Sequence, residues 1–173
     1  VIHIMLRIRK NFMTEKLIAA VNQQINEELF SAYLYLAMSA AASQASLEGF
    51  ANWLMIQAQE ERDHAMGLYN HLIERDAPVK LLAIAAPDFS FVSPADLLAK
   101  SLAHEQHITK CIHELYAMAE AEKDYALRAR LEWYVEEQVE EEASLKLLID
   151  RLAMAGEAGL YHFDKELAER VYE

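Results

Sequence analysis

Residues 50–71 read Phe50-Ala51-Asn52-Trp53-Leu54-Met55-Ile56-Gln57-Ala58-Gln59-Glu60-Glu61-Arg62-Asp63-His64-Ala65-Met66-Gly67-Leu68-Tyr69-Asn70-His71. Taken in alternating steps of three and four, one helical face runs Phe50, Leu54, Gln57, Glu61, His64, Leu68 and His71. That face is apolar toward its start and polar in its middle. A helix of this kind can face a core only if neighbouring helices answer its polar centre.

The same steps find such neighbours. A helix over about 14–42 presents Ile18, Val21, Ile25, Glu28, Ala32, Tyr35 and Ser39. One over about 94–121 presents Leu98, Ser101, Glu105, Ile108, Ile112 and Leu115, and one over about 124–154 presents Leu131, Tyr134, Gln138, Glu141, Leu145, Leu148 and Leu152. With the quoted helix extended to about 47–76, every stripe places a glutamate inward near mid-length. Ala, Leu, Glu and Lys dominate throughout, Thr14 and Ser93-Pro94 supply helix starts, and Gly156 lies where the fourth helix should end. A short fifth helix over about 164–172 is expected after Gly159, with Asp164 as its cap.

The predicted fold is all-α, a four-helix bundle. Short links make helices one and two, and three and four, antiparallel neighbours. The 77–93 link can span up to about 55 Å when extended, against about 42 Å for a 28-residue helix. It can run the length of the bundle and leave the second and third helices parallel. Residues 13–173 form one domain on this reading. Residues 1–12 read as an N-terminal extension, disordered or appended, because Met13-Thr14-Glu15-Lys16 resembles a natural start; a functional basic tail is the other reading.

The chain has 173 residues, 54% of them apolar, so one sizeable core is affordable. Its 28 acidic against 16 basic residues give a net charge of −12, which argues against nucleic acid as a partner. Cys111 is the only cysteine, so paired-thiolate metal sites and an intrachain disulfide are excluded, and a cytoplasmic setting fits. No apolar run reaches the roughly 18 residues of a membrane span, so no membrane partner is expected.

Several buried carboxylates facing one another would be driven to take up protons unless cations compensate them. No Lys or Arg lies on the four stripes, and His64 is one imidazole. Bound metal is the economical answer, and carboxylates with one or two nitrogens suit iron or manganese better than structural zinc. In Glu61-Arg62-Asp63-His64 the i, i+3 spacing sets two ligands on one face. Glu28, Glu61, His64, Glu105 and Glu141 are therefore the first ligand candidates. Tyr35 lies on the Glu28 face and can donate a hydrogen bond or an electron, and Gln138 lies beside Glu141. Glu136 and Glu142 read as solvated charges, whereas Glu60, Glu137 and Glu140 read equally as solvated charges or as further ligands. Met55 and Met66 read as core fillers. Leu34, Trp53 and Tyr69, together with Leu167, Ala168 and Val171 of the fifth helix, are expected to meet other subunits.

The segments Asn26-Glu27-Glu28-Leu29 with Tyr35, Gln59-Glu60-Glu61 with His64, His104-Glu105-Gln106, and Trp133-Tyr134-Val135 followed by Glu137-Gln138 and Glu140-Glu141 resemble those of bacterial non-haem ferritins. Gly159-Leu160-Tyr161 with Asp164-Lys165-Glu166-Leu167 looks like that family's fifth helix. The resemblance implies a ferritin-like fold and a ferroxidase that oxidises Fe2+ to Fe3+ with O2 or H2O2. It implies Glu28, Glu61 and His64 at a first iron and Glu61 bridging to a second iron at Glu105 and Glu141, with Gln138 alongside. Glu60, Glu137, Glu140 and Glu141 match the family's third iron position, and Tyr35 its tyrosine near the di-iron centre. A homo-oligomeric cage of 24 subunits storing ferric mineral is implied as well. Bacterioferritins fit less well: Glu140 stands where they carry a second histidine, and Arg62 stands where they carry a haem-ligating methionine. No haem is expected. A cage that stores iron without oxidising it, and a di-iron oxygenase with an organic substrate, are the competing readings. The intact di-iron set favours the ferroxidase over the storage-only cage, and nothing in the sequence marks the substrate cavity or reductase partner that an oxygenase would require.

Overall fold

The computed structural model describes residues 13–172, so the expected N-terminal extension over 1–12 lies outside the described residues. Among the described residues four helices follow one another: α1 (Glu15–Gln44), α2 (Glu48–Glu74), α3 (Pro94–Ala121) and α4 (Tyr125–Leu167). Thr14 caps α1, its hydroxyl accepting from the Leu17 amide at 3.2 Å, and Ser93 caps α3 through the Asp96 amide at 3.1 Å. Every stripe residue named above is buried except Leu152, which is half-buried. Among the described residues no helix is long and apolar enough to cross a membrane.

Contacts at the helix ends fix the topology. Thr14 at the start of α1 donates to Glu122 at the end of α3, so those two run antiparallel. Arg75 after α2 grips the α4 cap Asp124 with two bonds of 2.8 and 3.0 Å, so α2 and α4 are antiparallel too. With hairpins joining α1 to α2 and α3 to α4, α2 and α3 must be parallel. The link between them is held at its start by Asn22, whose amide donates to the Pro78 carbonyl (3.1 Å) and accepts from the Lys80 amide (2.6 Å). At its end Lys100 donates to the Ser90 carbonyl at 3.1 Å.

The core is divided. One apolar cluster contains Leu17, Val21, Leu68, Ile112, Leu115 and Leu127, and the other Met38, Phe50, Leu54, Leu97, Leu98 and Leu145. Between them the polar centres of the four stripes meet. Met55 and Met66 do not fill this core: both are exposed, at 41% and 40%. Leu34, Trp53 and Leu167 depart from expectation in the opposite sense, being buried within the subunit and so unavailable to another.

A short C-terminal helix is set apart from the rest of α4, but by a break at Gly156 and not over the expected 164–172. At Gly156 φ is 58° and ψ −171°, and helix continues to Leu167. One residue in a glycine-permissive conformation suffices to redirect the chain, so Gly159 stays helical and Asp164 lies near the end of the last turns rather than at a start. Asp164 caps a different helix: its carboxylate accepts from the Phe50 amide in the first turn of α2 at 3.0 Å. The close crossing needs Gly49, where an added Cβ would lie 1.6 Å from the Asp164 carbonyl oxygen.

The first three helices end alike without glycine. Ser46, Asp76 and Lys123 take left-handed conformations (φ 62°, 53° and 58°). Each is followed by an amide bonded back across the last turn: Leu47 to Ala42, Ala77 to Leu72 and Asp124 to Ala119, all at 2.9–3.0 Å. These are Schellman closures, and a side chain in the left-handed region costs about 1–2 kcal/mol. Part of that is offset by the extra freedom glycine gives the unfolded chain. Ser46→Gly and Lys123→Gly should each therefore stabilise the metal-free protein by about 0.5–1 kcal/mol, read by chemical denaturation, and a loss of stability in both would contradict the closures.

Candidate metal centre

The polar layer holds Glu28 from α1, Gln57, Glu61 and His64 from α2, Glu105 from α3, and Gln138 and Glu141 from α4, all buried. Ligand atoms of Glu28, Glu61 and His64 lie within 4.8 Å of one another. His64 Nδ1 is 3.6 Å from Glu61 Oε2. Its ring is flanked edge-on by Trp133 and Tyr134, with centroids at 5.3 and 6.1 Å. The Tyr134 hydroxyl donates to the His64 carbonyl at 2.7 Å and so ties α4 to α2 beside the ligands.

Hydrogen bonding divides the carboxylates into two kinds. Glu28 Oε1 accepts from Gln24 at 2.9 Å. Its other oxygen and both oxygens of Glu61 have no hydrogen-bond partner among the described residues. Three bare carboxylate oxygens beside one imidazole form a donor set suited to a hard cation. Glu105, by contrast, is served at both oxygens, and Glu141 at one. Tyr35 donates to Glu105 Oε1 and Gln138 to Glu105 Oε2 (3.1 Å), while Gln57 donates to Glu141 Oε1 at 2.7 Å.

Electrostatics follow from burial. Desolvation raises Glu28 and Glu61 well above the usual carboxylate range, with the charge of Glu61 adding to Glu28 and those of Glu105 and Glu141 adding to Glu61. Burial also raises Glu105, and burial followed by the Glu105 charge lifts Glu141 to about 7. The same two causes hold the Tyr35 phenol protonated. Burial depresses His104 to about 4; it bonds Ser31 at 2.7 Å and packs edge-on to Phe30 and Tyr35, a supporting rather than a ligating role.

Glu60, Glu137 and Glu140, whose reading was open, line one cavity of about 260 Å3 with Glu141, Trp53, Ser144 and Arg170. Glu136 is exposed, and Glu142 bonds Thr109 and Lys146 at 2.8 and 2.9 Å, as expected of solvated charges. Four participants escaped the sequence reading as site residues: Gln24, Gln57, Tyr134 and Arg170. Gln57 and Tyr134 lay on the stripes. Gln24 lies four residues before Glu28, a spacing that could have flagged it.

A family model described as "Ferritin-like domain" matches residues 18–155. The chain belongs to that family. It is 38% identical over 163 residues to a bacterial non-heme ferritin of Staphylococcus aureus (strain MRSA252), covering 93% of this chain and 98% of that protein. A bacterial non-heme ferritin of Staphylococcus haemolyticus is likewise 38% identical over 163 residues, with the same coverage. Among solved structures, an open pore ferritin from the hyperthermophilic archaeon Archaeoglobus fulgidus superposes with a TM-score of 0.90 at 44% identity, over 93% of this chain and 99% of that one.

As a ferritin the chain has a predictable pH response when free of metal. A carboxyl raised by folding contributes stability below its unfolded value, and that contribution is lost as pH rises through the folded value. For Glu141 the window runs from 4.5 to about 7. His104 and His71, both depressed by burial, act in the opposite sense, but only below their ordinary value of 6.5. Above pH 6.5 the carboxyls act without that opposition. Metal-free protein should lose stability between pH 6.5 and 7.5, and Glu141→Gln should flatten the slope; chemical denaturation at several pH values gives the answer, and wild-type stability rising through that window would contradict it.

Proposed function

We propose that this chain is an iron-storage ferritin subunit that oxidises Fe2+ inside its own bundle and stores the ferric product in a closed shell of identical copies. The observation that carries the reading is the set of bare, buried oxygens on Glu28 and Glu61 beside His64. A protein core retains uncompensated acceptors of this kind where a cation is to be taken up. Family membership supplies the class of cation, iron, as the substrate.

Glu28, Glu61 and His64 would hold the first Fe2+. Glu61 would share the second with Glu105 and Glu141. Glu105, both of whose oxygens accept hydrogen bonds, must loosen its hold on Tyr35 or Gln138 to bind, so the first position should fill before the second. Two Fe2+ ions surrender two electrons, which with two protons reduce O2 to H2O2 or H2O2 to two waters. The carboxylates stabilise the higher charge of the product. Tyr35 keeps its proton and holds Glu105 in place. Glu60, Glu137, Glu140 and Glu141 provide the onward position for a third ion.

Assembly is supported by an exposed apolar groove of Leu29, Ala32, Tyr33, Leu36, Met55 and Ile84, with Tyr33 51% and Met55 41% exposed. Covering it with another copy would bury the apolar surface that a lone subunit leaves in water. Light scattering coupled to size exclusion should report a closed shell of 24 subunits, and a stable monomer at micromolar concentration would remove the storage half of the proposal.

The oxidation half is tested at Glu61. Glu61→Ala should abolish fast Fe2+ oxidation in rapid-mixing experiments. The metal-free variant should remain folded, with stability equal to or above that of wild type at neutral pH, since two unserved buried oxygens are removed. Oxidation at the wild-type rate would sink the assignment. A structural role for Glu61 would instead lower metal-free stability by roughly 1–3 kcal/mol.

A further inference from the structure

The acidic cavity beside the paired-ion layer contains a positive group that comes from neither α2 nor α4's straight portion. After α4 ends at Leu167 the chain runs back along α2, non-helical, to residue 172. Asn52 holds it, donating to the carbonyls of Leu167 (3.3 Å), Ala168 (3.4 Å) and Arg170 (3.0 Å), and the Tyr172 hydroxyl donates to Asp63. Arg170 is thereby placed at the cavity that Glu60, Glu137, Glu140 and Glu141 line.

Its guanidinium donates to Glu60 Oε2 at 2.5 Å, to Gln57 Oε1 at 2.9 Å and to the Trp53 carbonyl at 3.3 Å, and its central carbon lies 4.6 Å over the Trp53 ring. Gln57 then has only its NH2 group left for Glu141. Arg170 therefore governs two carboxylates of the cavity, Glu60 directly and Glu141 through the orientation Gln57 is forced to take.

We propose that Arg170 is a built-in counter-ion for the third-cation position, which a metal ion enters by displacing the guanidinium from Glu60. The inference rests on the third position described under the proposed function. A guanidinium does not lose its proton in a protein, so release comes from competition between cations and not from pH. The Arg170 and Glu60 side chains are 26% and 28% exposed, and an ion pair open to water to that degree is weak enough for a multivalent ion to replace. A guanidinium and a metal ion cannot both sit on Glu60 without mutual repulsion. With Arg170 withdrawn, Gln57 is free to turn, so one displacement frees Glu60 Oε2 and loosens the hold on Glu141 Oε1.

The test is calorimetric titration of the assembled, metal-free protein with Zn2+, a redox-inert probe. Arg170→Met keeps an apolar stem over Trp53 and removes the charge, whereas Arg170→Lys keeps a charge. The Met variant should bind the third equivalent about tenfold more tightly than wild type, the scale of removing one unit charge at this range. The Lys variant should stay close to wild type, and the first two equivalents should be unchanged. Trp53 emission, read in a Trp133→Phe background, gives a second measurement that needs no change at Arg170: it should shift as the third equivalent binds and the guanidinium leaves the ring. Equal third-ion affinity in all three proteins, a third ion that leaves Trp53 emission unmoved, or no third equivalent at all would each overturn the proposal. Failure of the ferroxidase reading would show elsewhere, as loss of the first two equivalents or oxidation indifferent to Glu61→Ala.

Discussion

Like charges forced into one layer of a helical core are the constraint on which the rest of this molecule depends. Glu28, Glu61, Glu105 and Glu141 converge where water is nearly absent, and the same repulsion that lifts their proton affinities would open the bundle if that layer had to hold it together. It does not have to. Separate apolar clusters lie on either side, each drawing on all four helices, so cohesion resides at the two ends and the middle is left to chemistry. Closures at the helix ends reinforce that division, above all the Arg75 grip on Asp124.

The partners given to the carboxylates follow the same logic. Gln24, Gln57, Gln138 and Tyr35 are neutral donors, each serving an oxygen without cancelling its charge. Had lysine or arginine occupied those places, each incoming metal would have to break a buried ion pair and strand a cation in the core. A neutral amide asks less, since it needs only to turn. The Arg170 guanidinium is kept at the edge of the layer, partly in water, where it is readily displaced.

Legibility in the sequence tracks the range of the interaction that does the specifying. Stripe periodicity is local, and nearly every residue it named is buried, including the four convergent glutamates and His64, although core residues such as Leu17, Met38, Leu72 and Leu97 lie beside the stripes. Helix ends were harder because Ser46, Asp76 and Lys123 adopt the left-handed conformation in place of glycine, so the usual punctuation is missing. The last helix was misplaced because Gly159 and Asp164 imitate a stop and a start, while the turn is made at Gly156 and Asp164 caps α2 across the fold. Leu34 and Trp53 lie off the stripes yet are buried within the subunit, Trp53 partly under Arg170. Arg170 itself is separated from Glu60 by 110 residues, and no spacing rule spans that distance.

The mid-length placement of the glutamates has a geometric cause. In a bundle with two helices up and two down, residues near one end of a helix face residues near the opposite end of its antiparallel neighbours, in sequence order. Only the middle lies at the same level whichever way a helix points. A layer needing one contribution from each of four helices is therefore built most simply from their centres, and its register is then set by whatever fixes the heights of the helices. Hairpins do this for α1 with α2 and for α3 with α4. The long link by itself would let the two pairs slide, and the bonds that join one pair to the other remove that freedom: Thr14 to Glu122, Arg75 to Asp124, and the Tyr134 hydroxyl to the His64 carbonyl. Arg75 thus acts on the carboxylate layer from outside it: it contributes no ligand, yet its grip on the α4 cap Asp124 helps set the height at which Glu141 meets Glu61.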